Sequence, residues 1–281
     1  SCSVKHKKTF DYIFNKTEAI TLEQSKLTLS KDITVLSFSD SSMVDRNSSI
    51  IKVDSGWIVY SKNSESSILS FTSDGQFSGY IGHRGNGPGE YTSVYDVVVN
   101  QKSKVLEVLS DGGIFCYTFG GDFLDKKEVT YPAFSFAIDD RQNYWFYVGN
   151  NTTYGDAKMI CTDENIANVA YYLHQKSNML PMVENNFGRN GEWLTFHESL
   201  NHDLYTIENG KLDLSYAMDF PNYKLPKKLH ELSGMEVIEE LQRSNYASII
   251  NYLENHDYIF LNVLLNNEGE RCLLYTSPSP R

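Results

Sequence analysis

The sequence predicts an all-β protein, a β-propeller of four-stranded antiparallel blades with one helical insertion. Three observations support this class: a repeated strand–turn–strand unit, a high aromatic content, and a glycine-rich turn between units. Among the 281 residues, 19 are Tyr and 15 are Phe. Aromatic rings pack well on the half-buried face of a pleated sheet, so this content favours strands over helices.

Polar turn residues mark the repeat, because each one separates an apolar run from an aromatic or β-branched run. These anchor residues are Asp54, Asn100, Asp139, Asn190 and Asn255. Asp and Asn suit such turns since their side chains hydrogen-bond to nearby backbone. The anchor spacing brackets the unit of roughly 40–50 residues expected for a four-stranded blade. The sequence therefore predicts a series of about five four-stranded blades.

After each anchor, the second, third and fourth strands of the same blade are predicted as far as the pattern extends. Second strands are expected over residues 57–60, 105–109, 144–148, 193–196 and 258–261. Third strands are expected over residues 68–71, 114–119, 158–161 and 204–207, each followed by a turn rich in Asp, Asn or Gly. Fourth strands are expected over residues 77–81, 124–129, 169–173 and 212–218.

The interval before the last anchor is long because residues 227–245 change from a period of two to one of about three and a half. Apolar side chains then recur on one helical face, at Leu229, Leu232, Val237, Ile238 and Leu241. We interpret this segment as a helical insertion that packs on its own blade. Recruitment of a partner by the same apolar face is the alternative.

Domain boundaries follow from these patterns. Residues 1–30 are predicted to be an N-terminal tether and residues 31–274 the propeller domain. Within that domain, residues 33–38 alternate as a strand, which we expect to complete the final blade. Residues 275–281 resemble translated sequencing-adapter sequence and are expected to be a non-native tail.

The charge balance limits the partners. With 25 basic and 36 acidic residues, the chain has a formal net charge of −11 and a pI of about 5.1. Nucleic-acid binding depends on clustered Lys and Arg, so no nucleic-acid partner is expected. No run of about 18 apolar residues occurs, so the sequence predicts no membrane-spanning helix. No cofactor is expected either.

The turn between the first and second predicted blades reads GYIGHRGNGPGEY over residues 79–91. Gly85, Gly87 and Gly89 permit positive φ angles and Pro88 excludes a ladder position, so these four residues are predicted to form a structural loop. A phosphate-binding loop is the alternative. That loop requires a helix directly after the glycines and usually a Lys-Ser/Thr pair there, and neither follows these glycines, since residues 90–95 read EYTSVY.

This glycine-rich loop resembles the linker of NHL-type propeller repeats. It is more similar still to the loop of six-bladed propeller lipoproteins from Bacteroidetes-type bacteria, and the resemblance extends over about residues 33–274. The resemblance implies a propeller of the six-bladed type, truncated here to about five blades. It implies a cell-envelope location with lipidation of Cys2, because Ser1-Cys2-Ser3 resembles the end of a lipoprotein signal. Membrane contact would then be through the lipid anchor only. An ordinary free cysteine is the alternative.

Side chains of this loop form the first candidate ligand site, expected at the mouth of the ring. They are His83, Arg84, Asn86, Glu90, Tyr91 and Tyr95. Arg84 suits an anionic group, and the tyrosine rings suit the face of a sugar. The alternative is structural, with Glu90 holding turn amides and Tyr91 lying between blades. A second candidate, expected in the equivalent region two blades later, consists of Arg189 and Trp193.

Two histidines are compatible with a metal site. His197 and His202 flank a predicted turn, and Glu198 or Asp203 would supply a third ligand. The favoured interpretation is that these histidines are solvated turn residues, so no metal is expected.

The remaining carboxylate and thiol groups are predicted to be structural. The acidic pairs at 139–140 and 163–164 occupy turns, where Asp accepts backbone hydrogen bonds; a catalytic or calcium-binding role is the alternative. Metal-ligand spacing is absent among the other cysteines, which are interpreted as buried thiols: Cys116, Cys161 and Cys272.

The function favoured by the sequence is a non-catalytic cell-envelope propeller that binds a ligand or a protein. Its expected partner is a glycan, a peptide or an envelope protein. One alternative is a carbohydrate-active or lactone-cleaving enzyme whose acidic residues converge on the channel. Another is an NHL-like protein-interaction module. Fold does not decide among them, because propellers include both enzymes and scaffolds.

Overall fold

The structure is a computed structural model of the chain. It describes residues 10–13, 32–38, 44, 48–62, 67–151, 155–174 and 185–276. The chain divides into two compact units. We call Glu18–Tyr131 the N-terminal unit, and Ser1–Thr17 together with Pro132–Arg281 the C-terminal unit.

The first strand, β1 (Phe10–Ile13), belongs to the C-terminal unit, and the N-terminal unit contains the next ten strands. The first blade is antiparallel, in the order β2 (Ser49–Val53), β3 (Gly56–Tyr60), β4 (Ile68–Thr72) and β5 (Phe77–Ile81). Two short strands pair in parallel within the glycine-rich loop, β6 (His83–Arg84) and β7 (Glu90–Tyr91). The second blade consists of β8 (Asp96–Asn100), β9 (Val105–Ser110), β10 (Gly113–Tyr117) and β11 (Phe123–Lys127).

The C-terminal unit contains the third, fourth and fifth blades. The third blade consists of β12 (Ser135–Ile138), β13 (Tyr144–Tyr147), β14 (Ala157–Thr162) and β15 (Ala170–His174). The fourth consists of β16 (Phe187–Asn190), β17 (Trp193–His197), β18 (Asp203–Glu208) and β19 (Lys211–Asp219), and β1 pairs in parallel with β19. Among the described residues, the fifth blade consists of β20 (Ala247–Glu254), β21 (Tyr258–Leu265) and β22 (Gly269–Thr276).

Apolar rows on the strands explain how the blades pack within each unit. Strand β21 buries every second residue, and the buried row is Ile259, Leu261, Val263 and Leu265. This period of two places the row on one face of the sheet, where it joins Leu204 and Tyr216 of the fourth blade in one cluster. In the N-terminal unit a comparable cluster contains Ile58 of the first blade and Leu106 of the second.

The predicted fold class is confirmed: the protein is an all-β propeller with antiparallel blades, and the part of the chain that the structure describes contains one α-helix. Predicted strand positions agree closely with the structure, and the predicted fourth strand at 77–81 coincides with β5. Strand β22 includes Tyr275 and Thr276, the first two residues of the expected tail. Among the described residues, no helix has the length and apolar character required to cross a bilayer.

The helical insertion is shorter than its apolar pattern suggests. Helix α1 covers Met235–Arg243, and a single 3-10 turn covers Leu229–Glu231. Leu229 and Val237 are buried in one cluster with Leu200, and Leu241 packs against that cluster. The insertion therefore packs on its own unit, which is the favoured alternative of the sequence analysis.

The segment at residues 33–38 does not complete a blade, so that prediction is wrong. Its pairing within the described residues is a single parallel bridge between Ser37 and Gln76, supported by the bond from Ser37 N–H to the Gly75 carbonyl at 2.8 Å. Ile33 and Val35 are 85% and 71% exposed, so the alternating pattern buries no apolar row here. The N-terminal strand that joins a later blade is β1 instead.

Candidate functional site

One end of the fourth blade carries a cavity of about 340 Å³. Because neighbouring strands of a blade run in opposite directions, its first-to-second and third-to-fourth turns lie at the same end, which we call the hairpin end. The cavity is lined by residues 192–194 and 206–209 of the fourth blade, together with Asp140 of the third and His256 of the fifth. Turns of three consecutive blades therefore build one site.

The cavity combines a buried apolar part with an exposed polar rim. Leu194 and Ile207 are buried, and Trp193 is half-buried. Thr206 is also buried, and its Oγ1 lies 2.8 Å from Ser215 Oγ. The rim carboxylates are exposed, and they belong to Asp140, Glu192 and Glu208.

The turn that presents Asp140 is held by the buried side chain of Asp139. Asp139 Oδ1 accepts hydrogen bonds from the backbone N–H groups of Arg141 and Asn143, each at 2.9 Å. Asp139 Oδ2 accepts hydrogen bonds from Asn143 Nδ2 at 2.9 Å and from Trp145 Nε1 at 3.0 Å. The fold uses both oxygens of Asp139, as the turn interpretation expects, and Asp140 is the member of the pair that lines the cavity.

Arg189 connects the third blade to the fourth beside this turn. Its Nη2 donates a hydrogen bond to the backbone carbonyl of Ile138. Burial lowers the pKa of Arg189, while the charges of Asp139 and Asp140 oppose that shift. The guanidinium is thus engaged within the fold, whereas Trp193 at the start of β17 lines the cavity.

The third-to-fourth turn of the fourth blade contributes Glu208 and Asn209. Asn209 adopts a φ of 55°, a left-handed conformation that Asn tolerates better than most residues. Its Oδ1 accepts a hydrogen bond from Arg141 Nη2 at 3.3 Å. This contact joins the turn that carries Asp140 to the turn that carries Glu208.

His256 reaches the cavity from the first-to-second turn of the fifth blade. Asn255 Oδ1 holds this turn by accepting hydrogen bonds from the N–H groups of Asp257 at 2.9 Å and Tyr258 at 2.8 Å. The exposed imidazole of His256 has its Nδ1 3.4 Å from Asp257 Oδ1. The anchor residue of the repeat thus presents its neighbour to the site.

The chemistry of the lining favours a ligand that donates hydrogen bonds and has an apolar part. The rim carboxylates are hydrogen-bond acceptors, and the half-buried indole of Trp193 supplies the aromatic part of the lining. No cluster of three or more His, Cys, Asp or Glu side chains in the described parts of the chain has the geometry of a metal site.

In the N-terminal unit, Glu90 holds the glycine-rich loop together. Its Oε2 accepts a hydrogen bond from the N–H of Gly87 at 2.8 Å. A Cβ atom on Gly85 would lie 2.0 Å from the same oxygen, so a larger residue at this position would displace Glu90. The contacts of Glu90 therefore agree with the structural alternative.

Tyr91 also has a structural environment. It is 1% exposed, and its hydroxyl donates a hydrogen bond to the Ile81 carbonyl at 3.2 Å while accepting one from the Ile68 N–H at 3.3 Å. Its ring meets that of Tyr117 edge to face, with centroids 6.2 Å apart. Tyr91 thus packs in the core of the N-terminal unit.

Three other side chains of the loop are exposed, and these are His83, Arg84 and Asn86. Arg84 Nε donates a hydrogen bond to the Thr92 carbonyl at 2.9 Å. Tyr95 OH donates one to Asp111 Oδ1 at 2.6 Å, and this bond raises the pKa of Tyr95 and lowers that of Asp111. A ligand role for these exposed groups stays a prediction.

Arg189 and Trp193 are not equivalent in position to the glycine-rich loop, so that expectation is wrong. The loop connects the fourth strand of one blade to the first strand of the next, which places it at the end opposite to the hairpin end. Arg189 and Trp193 flank the turn between β16 and β17, which lies at the hairpin end. The alternating strand direction causes the difference.

The two predicted histidine ligands have different environments. His197 ends β17 with only 1% of the residue exposed, and neither ring nitrogen has a hydrogen-bond partner. Burial lowers the pKa of His197 to about 4, although the backbone of Ile250 and Ile249 opposes the shift. His202 Nε2 lies 3.0 Å from the Ala247 carbonyl oxygen. The interpretation as a solvated turn residue is therefore wrong for His197.

Sequence reasoning did not assemble Glu192, Glu208 and His256 into one site with Trp193. The available signal was positional, because Glu192 and His256 lie in the turns of two anchor residues, and Glu208 lies in a predicted third-to-fourth turn at the same end of its blade. Such turns of neighbouring blades meet at the hairpin end once the blades pack.

Comparison with known proteins places the chain in a family. The chain belongs to the family called domain of unknown function DUF4934, whose profile matches residues 7–278. No curated protein matches its sequence.

Two crystal structures from Bacteroides are similar in fold. A candidate exported protein of Bacteroides fragilis has a TM-score of 0.77 and 16% identity, with 98% of this chain and 79% of that chain covered. A member of the DUF4221 family from Bacteroides vulgatus has a TM-score of 0.54 and 9% identity, with 86% and 80% covered. At such identities the likeness shows the fold alone.

Proposed function

We propose that the protein is a non-catalytic cell-envelope propeller that binds a ligand in the cavity around Trp193. The proposal is carried by one observation: turns of three blades place an indole, three carboxylates and an imidazole around a cavity of about 340 Å³. Ligand sites are commonly cavities of about 300–1,000 Å³ in which a few polar groups fix orientation. The bound group belongs to a glycan, a peptide or an envelope protein.

A screen on the whole chain tests the binding role. Compounds from glycan and peptide libraries are first screened for those that raise the melting temperature of the protein. Each such compound is then titrated into Trp193→Ala and into Arg84→Ala, a variant in the glycine-rich loop. Loss of binding only in Trp193→Ala supports the cavity. Loss only in Arg84→Ala moves the site to the loop, and the absence of any binding compound counts against a binding protein.

A carbohydrate-cleaving activity is the second candidate, because Glu192 and Glu208 line the same cavity. Paired carboxylates can serve as general acid and as base or nucleophile in glycoside hydrolysis. Incubation with each bound glycan, followed by mass spectrometry of the products, distinguishes the two functions. Cleavage that is lost in Glu208→Gln would replace the binding function by the enzymatic one.

The envelope location is a further part of the proposal. The candidate exported protein of Bacteroides fragilis supports it, as does Ser1-Cys2-Ser3, which lies outside the described residues. We propose a lipid anchor at Cys2, a tether over residues 1–30 that contributes β1 to the fourth blade, an NHL-like propeller domain of the six-bladed type over 31–274, and a non-native tail over 275–281 whose first two residues extend β22. Labelling with a lipid precursor in a bacterial host tests the anchor: incorporation should be lost in Cys2→Ser, and equal incorporation in that variant would contradict it.

A further inference from the structure

We infer that the cavity around Trp193 takes a positively charged group on an apolar stem, as in the lysine or arginine side chain of a peptide. This inference rests on the proposed function and names the ligand class of the same site. It is carried by the juxtaposition of one half-buried indole and three exposed carboxylates around one cavity.

The charge of the rim favours a cationic ligand. Asp140, Glu192 and Glu208 lie on three different turns, and no lysine or arginine is among the described residues that line the cavity. Two arginines lie near these turns, but Arg141 donates to Asn209 and Arg189 donates to the Ile138 carbonyl. These hydrogen bonds leave both guanidinium charges in place, and Lys211 lies opposite Glu208 in the strand register. The same turns nevertheless carry more carboxylates than cations, namely Asp139, Asp140, Glu192, Glu208 and Asp257 against Arg141, Arg189 and Lys211, so the excess charge attracts a cationic ligand.

The indole of Trp193 in the cavity also favours a cation. A cation over the face of an indole is attracted by the negative π cloud, and Trp is the best of the aromatic side chains for this contact. Leu194 and Ile207 also line the cavity, but they are almost fully buried in a core cluster with Trp145. The methylene stem of a long basic side chain would therefore lie along the half-buried Trp193 ring.

A neutral sugar is the nearest competitor, because it also stacks on Trp and donates hydrogen bonds. The rim favours the cation over the sugar, because the carboxylates attract a cation by Coulomb interaction in addition to accepting its hydrogen bonds, whereas a neutral hydroxyl offers hydrogen bonds alone. The net charge of −11 also attracts cations over a longer range.

Calorimetric titration of the whole chain with two matched probes tests the inference. Nα-acetylarginine amide carries a guanidinium, and Nα-acetylcitrulline amide is its near-isosteric neutral counterpart. We expect the arginine probe to bind at least about tenfold more tightly, and its affinity to fall when the ionic strength is raised about tenfold. Trp193→Ala and Glu208→Gln should each weaken it by about tenfold. Glu236→Gln, an exposed change on α1, should leave it unchanged.

Each other outcome overturns the inference in a recognisable way. Equal binding of the two probes, or binding of chitobiose that is insensitive to salt but lost in Trp193→Ala, leaves a binding cavity and rejects the cationic ligand class. Binding of the arginine probe that is unchanged in Trp193→Ala and Glu208→Gln rejects the site. Failure of the probes, together with an empty ligand screen, rejects the proposed function as well.

Discussion

Lys158 Nζ lies 2.8 Å from Glu198 Oε1, and the two side chains are only 6% and 8% exposed. Lys158 belongs to β14 of the third blade, and Glu198 directly follows β17 of the fourth. Tyr147 OH donates a hydrogen bond to the same carboxylate oxygen at 2.7 Å, and Asn201 Nδ2 donates to Oε2 at 3.2 Å. This buried ion pair fixes two neighbouring blades of the C-terminal unit to each other.

Removal of the lysine should destabilise the protein strongly. In Lys158→Met the Glu198 carboxylate stays buried without its cation, and such a change costs about 3–5 kcal/mol. The double variant Lys158→Met/Glu198→Gln should recover much of this loss, because a neutral amide replaces the unpaired charge. Urea unfolding followed by circular dichroism measures both free energies.

An exposed ion pair provides the control. Arg243 and Glu239 on α1 lie 3.6 Å apart with side chains 76% and 57% exposed, and surface pairs of this kind contribute little. Arg243→Met should leave the unfolding midpoint unchanged. Equal effects of Lys158→Met and Arg243→Met would show that the buried pair is not a structural contact.

Acid should destabilise the protein through His197. Burial lowers the pKa of His197 from 6.5 to about 4, so the unfolded chain binds a proton before the folded one does. The contribution is absent above about pH 6.5 and grows as the pH falls towards 4, at up to about 1.4 kcal/mol per pH unit and of order 3 kcal/mol in total. In His197→Met this part of the acid dependence should disappear from the free energy of unfolding measured between pH 7 and pH 4.

The pKa of His174 is shifted in the opposite direction to that of His197, so His174 serves as the control. Its exposed imidazole lies 3.0 Å from Asp156 Oδ1, and this hydrogen bond raises its pKa. A raised pKa gives stability that is present at low pH and lost as the pH rises through the folded-state pKa. His174→Gln should therefore keep the acid-induced loss seen in the wild type, and a flattened profile in His174→Gln would contradict the assignment to His197.

Gly89 should tolerate alanine less well than Gly112 in the same unit. The φ angles are similar, 74° and 76°, so both alanine variants carry a left-handed strain of about 1 kcal/mol. An added Cβ at Gly89 would lie 2.6 Å from Phe123 Cγ, whereas at Gly112 the nearest atom is Lys126 Nζ at 3.5 Å. We expect Gly89→Ala to lower the melting temperature clearly more than Gly112→Ala, and equal shifts would show that Phe123 moves freely.

Thiol reactivity should follow burial. Burial raises the pKa of Cys116 and of Cys161 to about 12, with smaller contributions from nearby Glu107 and Asp139 respectively. Cys272 is exposed, which corrects its interpretation as a buried thiol. Iodoacetamide at pH 8 should label Cys272 in the native protein, and Cys116 and Cys161 only after unfolding, because the thiolate is the nucleophile. Peptide mass mapping measures this, and rapid native labelling of Cys161 would contradict the packing of the third blade.

Local patterns in the sequence were sufficient for the blades. The turn at Asp139 was predictable because an Asp that accepts backbone hydrogen bonds needs only its neighbours, and β5 was predictable from apolar alternation. Strand β1 was not found, because its pairing with β19 depends on residues far along the chain. The alternating pattern at residues 33–38 led to a wrong prediction, because alternation does not specify which sheet a segment joins.

The candidate site was only partly predictable. Trp193 was identified as a ligand candidate, but its grouping with Glu208 and His256 depends on how three blades pack at the hairpin end. The glycine-rich loop was predictable as a structural feature, because Glu90 and Gly87 are close in the chain. Side-chain chemistry could be read from the residues, whereas convergence between blades could not.

A crystal structure of the chain with a compound from the ligand screen tests the central claim most directly. We expect electron density for that compound against the Trp193 ring, between Glu208 and His256. Density beside His83 and Arg84, with the cavity around Trp193 empty, would contradict it.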